Sequence, residues 1–384
     1  MRIAFVADTF DEASGGGVVS ARRFVEALRT RHEVTVLATG QPAPGKVVLP
    51  GLQLPVHAMQ ANHFTFAMPH TQTLYEVLAE QDIVHVNFPF LAGYAAVRIA
   101  RQLSVPVVTA FHVQPENLLF NVGIHSQTLN DWLYRRWVHG FYGQSDAVIA
   151  PSDFAGQLLR DHGLQKPVFT ISNGAPQVHP EQERKAEPHD RPFLVLCSGR
   201  LAAEKRPDLV VEAVARSRHR ESIRLVLAGH GPLDHKLTAR AKELNLPLQL
   251  GFVSDLELAS LRANADLAVH ASEVELEGMA VLEAMAAGLP VLIADSPTSA
   301  AKEFAAGPDF LFRAGHADHL AAQLDHLLES PQRRAAASRW GLQVASGKRL
   351  GESAALLEEA YLSVITAHAR LRLGVQGPIA SGIA

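Results

Sequence analysis

The chain has 384 residues, enough for two or three domains at roughly 150 residues each, and its 47% hydrophobic content excludes intrinsic disorder of the whole. With 35 basic against 39 acidic residues and a net charge of −4, it has no general attraction for nucleic acid, which is not an expected partner. The single cysteine, Cys197, excludes an internal disulfide and a zinc-thiolate cluster.

The opening run MRIAFVAD is too short for a signal-peptide core and reads as a first β-strand. No stretch approaches the ~18–20 apolar residues of a membrane-spanning helix. The expected location is cytoplasmic, with peripheral membrane contact at most. Further short apolar runs follow at 33–38, 83–87, 107–111, 147–150, 168–171, 193–198, 224–228, 248–252, 267–270 and 291–293, the first being 3–7. They are apolar on both faces, as buried parallel strands are, and longer helical patterns separate them. This alternation predicts an α/β chain with doubly wound sheets.

The segment PQVHPEQERKAEPHDRP, 176–192, is rich in proline and charge and has little to pack, so 176–190 reads as a linker. It separates two Rossmann-like domains, 1–175 and 191–350. The last part, 351–384, reads as a final helix with apolar residues at helical spacing and an uncharged tail.

Ligands of open parallel sheets sit outside the carboxyl ends of the strands. After the first strand comes a loop with Gly15, Gly16 and Gly17, and a helix starts near Val18. Consecutive glycines ahead of a helix let amides approach an anion, or form a plain flexible loop. After 193–198 come Gly199, Arg200, Glu204 and Lys205. Arg200 and Lys205 could hold a diphosphate there, or form a solvated basic turn; Arg206 reads as surface. The turn at Gly229-His230-Gly231 suits close backbone approach to a nucleotide, or is simply tight.

The most specific stretch is SEVELEGMAVLEAMAAGLP, 272–290. Helix formers from Met279 end at Gly288. Glu283 lies inside that apolar helix, where a carboxylate is costly unless bonded, so it is expected to face a ligand or cleft. Glu275 lies in the preceding loop, and Gly278 with the helix amides would face phosphates.

These motifs together resemble the retaining glycosyltransferases of the GT-B fold, in the large family called family four. The matching residues are Gly15 to Gly17, Gly199-Arg200 with Glu204-Lys205, Pro151-Ser152, Ser172-Asn173-Gly174, and Glu275 and Glu283 followed by Ala284-Met285-Ala286-Ala287-Gly288. The resemblance implies two Rossmann-like domains facing each other across a cleft, an N-terminal acceptor domain, a C-terminal nucleotide-sugar domain and a final helix crossing back to the N-terminal domain. It implies that Glu275 contacts the donor sugar and Glu283 the ribose, that Arg200 and Lys205 hold the diphosphate, and that Gly16, Gly17, Gly199, Gly231, Gly278 and Met279 approach the nucleotide. His112, at a strand's carboxyl end, would lie near the reacting sugar. No metal cofactor is implied, and the chain has no Asp-x-Asp.

Glu275-Leu276-Glu277-Gly278 departs from the common Glu-Gly-Phe-Gly start and is closest in style to bacterial diacylglycerol glucosyltransferases. The expected reaction is transfer of a hexose, glucose first, from a nucleotide diphosphate sugar. The alternatives are GDP-mannose as donor, a soluble or polysaccharide acceptor, or a nucleotide-sugar epimerase. Two features favour a lipid acceptor over a carbohydrate. The stretch 34–75 has one charged side chain, Lys46, with Met59, Phe64, Phe66 and Met68, and Trp132 to Trp137 with Phe141 and Tyr142 make a basic-aromatic helix pattern. Core packing around a soluble acceptor is the other reading of both.

Overall fold

The computed structural model describes residues 1–11, 15–53, 64–121, 123–124, 126–177 and 191–373. Most of the expected linker, residues 178–190, lies outside the described residues, as do Met59 and the tail after 373. The chain forms two compact units. Unit 1 comprises Met1–Leu119, Ile124–Gly174 and the chain from Leu350, and unit 2 comprises Phe120–Gly123 and Ala175–Arg349.

Fifteen strands are assigned among the described residues. In unit 1 they are β1 Arg2–Val6, β2 Glu33–Ala38, β3 Lys46–Val48, β4 Gly51–Leu52, β5 Phe66–Ala67, β6 Ile83–Val86, β7 Val107–Ala110, β8 Ala147–Ala150 and β9 Val168–Thr170. In unit 2 they are β10 Phe193–Ser198, β11 Ile223–Ala228, β12 Leu248–Gly251, β13 Leu267–His270, β14 Val291–Asp295 and β15 Leu311–Arg313. The unit 1 sheet has the order β3-β2-β1-β6-β7-β8-β9 and the unit 2 sheet β12-β11-β10-β13-β14-β15. All pairs in both are parallel, with Ile3 opposite Ile83 and Val195 opposite Leu267 at the points where the order reverses. β4 and β5 form a separate antiparallel ladder that sets Leu52 opposite Phe66.

The central strands β6, β7, β8 and β13 are buried at every position, because helices cover both faces of a parallel sheet. This is why their runs carry no alternation. β3, β4, β5 and β15 were not foreseen; at two or three residues each they are too short for any periodic signal.

The helix Leu350–Arg372 packs on the unit 1 sheet. Its Leu357, Ala360, Tyr361 and Val364 are fully buried among Ile3, Phe5, Val25 and Leu28, and each large side chain contributes about 1.5–3 kcal/mol by leaving water. Tyr361 Oη and His85 Nδ1 are 2.7 Å apart, and His85 stacks on Phe5 with centroids 4.3 Å apart. Burial, and then the nearby His112, push the His85 pKa down to about 3, so the tyrosine meets a neutral ring. Glu358 adds pairs to Arg31 at 3.0 Å and His32 at 3.1 Å.

The basic-aromatic pattern forms the helix Gln127–Gly140, but most of its rings do not face outward. Tyr134, Trp137, Phe141 and Tyr142 are buried, since 134, 137, 138 and 141 fall on one helical face. Trp132, 57% exposed, and the exposed Arg135 and Arg136 make up the outer face.

Candidate active site

In unit 2 the strand order reverses at β10, so the carboxyl ends of β10 and β13 flank a topological switch point. Gly199 follows β10 with φ +133°, and its amide donates to the Ala228 carbonyl at 3.0 Å. The turn after β11 lies against it. A Cβ on Gly229 would stand 1.9 Å from the Gly199 oxygen, and one on Gly231 2.2 Å from the Leu201 oxygen. Backbone fills both spaces, so neither position admits a side chain.

Beyond Gly199 the charged side chains meet charged partners. Arg200 donates to Glu204, whose side chain is fully buried. Lys205 Nζ donates to Glu275 Oε1 at 2.6 Å, and His270 Nε2, at the end of β13, lies 3.1 Å from the same oxygen. Burial opposes the charge on Glu275, but the Lys205 ammonium and the His270 ring outweigh it and hold the carboxyl well below the usual carboxylate range. Glu275 is fixed through its main chain as well: its amide donates to Thr298 O at 3.2 Å and its carbonyl accepts from Ala300 at 3.0 Å. Arg206, read from sequence as surface, instead bonds Glu273 and Asp208, because its φ of +50° turns the chain back at the helix Pro207–Arg216.

Gly278 has φ +110° and caps the helix Met279–Ala286, which has neither a side-chain cap nor an acidic residue in its first turn. Its positive end is thereby left for an anion. Val281, Leu282, Ala284 and Met285 face the core, and Glu283 takes the other face, paired with Arg262 of the helix Asp255–Asn264. The helix ends before Gly288 at φ +64°.

In unit 1, Gly15 caps the helix Gly16–Arg29, again with no side-chain cap and no acidic residue in the first turn. A Cβ on Gly17 would meet His112 Cβ at 3.0 Å and the Phe88 ring at 3.1 Å, so the helix start, the loop after β6 and the loop after β7 converge there. Burial pushes the His112 pKa down to about 4, which keeps the imidazole neutral at neutral pH. Asp11, in the same glycine loop, binds Lys46 Nζ at 2.6 Å.

Gly199, Arg200, Lys205, Gly231, Glu275, Gly278, Met279 and Glu283 thus belong to unit 2, with Lys205 and Glu275 in direct contact, while Gly16, Gly17 and His112 belong to unit 1. Sequence reasoning missed His270, Arg262 and Glu273. Only His270 carried a signal, its place at a strand end. Among the described residues no group of three or more His, Cys, Asp or Glu is disposed to hold a metal ion, and no helix is long and apolar enough to cross a membrane.

Two parallel Rossmann-like sheets with glycine-capped helices at their carboxyl ends are the architecture of the GT-B fold. Residues 14–177 match the family described as Glycosyltransferase Family 4, and residues 179–343 that described as Glycosyl transferases group 1. The chain belongs to this glycosyltransferase family and is a hexosyltransferase. It is 30% identical to a GDP-mannose-dependent alpha-mannosyltransferase of Mycolicibacterium smegmatis, over 77% of this chain and 80% of that one. It is 24% identical to the alpha-monoglucosyldiacylglycerol synthase of Streptococcus pneumoniae, over 77% of this chain and 72% of that one. The crystal structure of HepE of Anabaena in complex with UDP shares the fold, with a TM-score of 0.73 at 19% identity over 94% of this chain and all of the other.

Proposed function

We propose that the chain transfers a hexose, with retention of configuration, from a nucleoside diphosphate sugar to a hydroxyl of a membrane lipid of the diacylglycerol type. The observation that carries the reading is the Lys205–Glu275 contact at 2.6 Å beside the glycine-capped start of the helix Met279–Ala286. A partly buried carboxylate held ionised can accept sugar hydroxyls, and a cation beside a helix start without a side-chain cap suits a diphosphate gaining charge as it leaves.

In this reading Arg200 and Lys205 stabilise the departing diphosphate, and the backbone at Gly199, Gly231, Gly278 and Met279 approaches it. Gly16 and Gly17 offer the second glycine-capped helix start. Glu275 accepts hydroxyls of the sugar and Glu283 those of the ribose, each held by its cation. The acceptor oxygen attacks the anomeric carbon on the face the diphosphate leaves. The bond to the phosphate oxygen breaks, the bond to the acceptor oxygen forms, and the acceptor's proton passes to the leaving phosphate. His112, neutral at working pH, can bond a sugar hydroxyl without repelling the developing positive charge on the sugar.

For the donor, the 275–278 motif favours glucose. GDP-mannose is a second reading, supported by the mannosyltransferase of Mycolicibacterium smegmatis. A lipid acceptor is supported by the pneumococcal relative and by the Trp132, Arg135 and Arg136 face, which suits an anionic bilayer surface. The test is incubation with UDP-glucose and with GDP-mannose, with and without 1,2-dioctanoylglycerol, reading nucleotide release and the anomeric configuration of the product. One donor should be consumed faster with lipid, giving an α-linked product. Release with neither donor overturns the reading, and a β-linked product overturns retention.

A further inference from the structure

Four phenylalanine rings come together at the carboxyl edge of the unit 1 sheet. Phe64 meets Phe66, Phe88 and Phe90 edge-on, with centroids 5.1, 6.0 and 5.8 Å apart, and Phe66 meets Phe90 at 5.0 Å. Two of the rings come from the segment around β5 and two from the loop after β6. The β5 segment is fastened to the end of β1: Asp8 Oδ1 accepts from the Ala67 amide at 2.8 Å, and Thr9 Oγ1 accepts from the Thr65 amide at 2.7 Å and donates to its carbonyl at 3.1 Å. The cluster is therefore a built feature of the sheet edge.

Three properties set it apart from core. Phe64, Phe66 and Phe90 are only half-buried, and two leucines beside them in the chain or ladder, Leu52 opposite Phe66 and Leu91 after Phe90, are 40% and 52% exposed. Its own segment brings no exposed charge among the described residues: Lys46, the one charged side chain in 34–75, is 2% exposed and bound to Asp11. The cluster is also continuous with His112, since Phe88 and the His112 Cβ both lie about Gly17.

We propose that Phe64, Phe66, Phe88 and Phe90, extended by Leu52 and Leu91, bind the acyl portion of a neutral glycerolipid acceptor and direct its free hydroxyl toward His112. This rests on the transferase reading above and adds the residues that would select the acceptor. Among the described residues of 34–75 an anionic lipid finds no exposed counter-charge. The interlocked rings and leucines present hydrocarbon suited to an acyl chain, and Gln53, which donates to Thr65 Oγ1 at 3.2 Å, stands at the rim where a glycerol backbone would end.

The test uses the full chain and 1,2-dioctanoylglycerol in detergent micelles, titrated directly so that binding is read without turnover. Phe66→Ser should weaken binding about tenfold or more, and Leu91→Ser, an exposed side chain whose loss leaves the core intact, about threefold. The melting transition of each variant reports its fold. Unchanged affinity in both Leu91→Ser and a folded Phe66→Ser overturns the proposal, as does a protein that binds methyl α-glucoside but not dioctanoylglycerol. Protection by UDP-glucose or GDP-mannose against heat unfolding is read in parallel. Its absence defeats the donor reading of unit 2 alone, and the lipid titration still decides the aromatic subsite.

Discussion

Lys205 keeps Glu275 ionised against its burial, and this coupling makes a two-part prediction. In the proposed mechanism Lys205→Ala removes the cation on the leaving diphosphate and should lower kcat by about 10²–10³-fold, the usual cost of one such donor. It also leaves burial less opposed, so the Glu275 pKa rises and the acid limb of the pH profile of kcat/KM moves to higher pH. Steady-state kinetics from pH 4 to 8 measure both, and a lowered kcat with an unmoved acid limb would separate Glu275 from Lys205. Both residues were legible in the sequence because each follows a strand within a recognisable motif. The partners of Glu283 and Arg206 were not: Arg262 lies 21 residues before Glu283 and Glu273 lies 67 after Arg206, on separate elements whose meeting depends on how the helices pack.

Among the elements, the two glycine-capped helices differ in what their caps tolerate. Gly278 has φ +110°, and a Cβ there would meet Ala301 Cβ at 2.9 Å, whereas Gly15 has extended backbone and nothing within 4 Å of the Cβ position. Gly278→Ala should therefore cost about 1–3 kcal/mol of stability and weaken nucleotide protection by displacing the helix start. Gly15→Ala should stay within about 0.5 kcal/mol of the parent. Urea unfolding with and without nucleotide measures both variants. Much of the fold was readable at this scale: apolar runs with no alternation gave parallel strands such as β6 and β13, and Gly288 marked a helix end. The role of the rings at 132–142 was not, since an aromatic stripe at helical spacing serves a core or a bilayer equally well until the sheet beside it is placed.

Over the whole molecule, stability reflects buried groups that titrate in opposite senses. His85 and His112, lowered to about 3 and about 4, refuse protons that the unfolded chain takes up below its histidine pKa of about 6.5. They contribute full stability above that value and lose it as pH falls. Asp8 is raised to about 7 by burial, against a lowering bond from the Ala67 amide. Its folded form keeps a proton that the unfolded chain gives up above 3.8, so its contribution is complete below that pH and lost as pH rises toward 7. Asp8→Asn keeps the Oδ1 acceptor for Ala67 and removes the charge. It should stabilise the protein by up to ~4 kcal/mol at pH 8 and far less at pH 4. Denaturant midpoints at the two pH values decide this, and an equal shift at both would show that Asp8 does not titrate as described.

The helix Leu350–Arg372 has a consequence for the order in which the protein is made. It belongs to unit 1, yet every residue of unit 2 from Ala175 to Arg349 is synthesised before it. A nascent chain holding all of β1 to β9 still lacks Leu357, Tyr361 and Val364, and its buried His85 waits for a hydroxyl that emerges 276 residues later. Unit 2 can close on the ribosome once its last helix, Pro331–Ser346, has emerged. Unit 1 cannot, and during that interval its unfinished apolar sheet face is what a chaperone would meet.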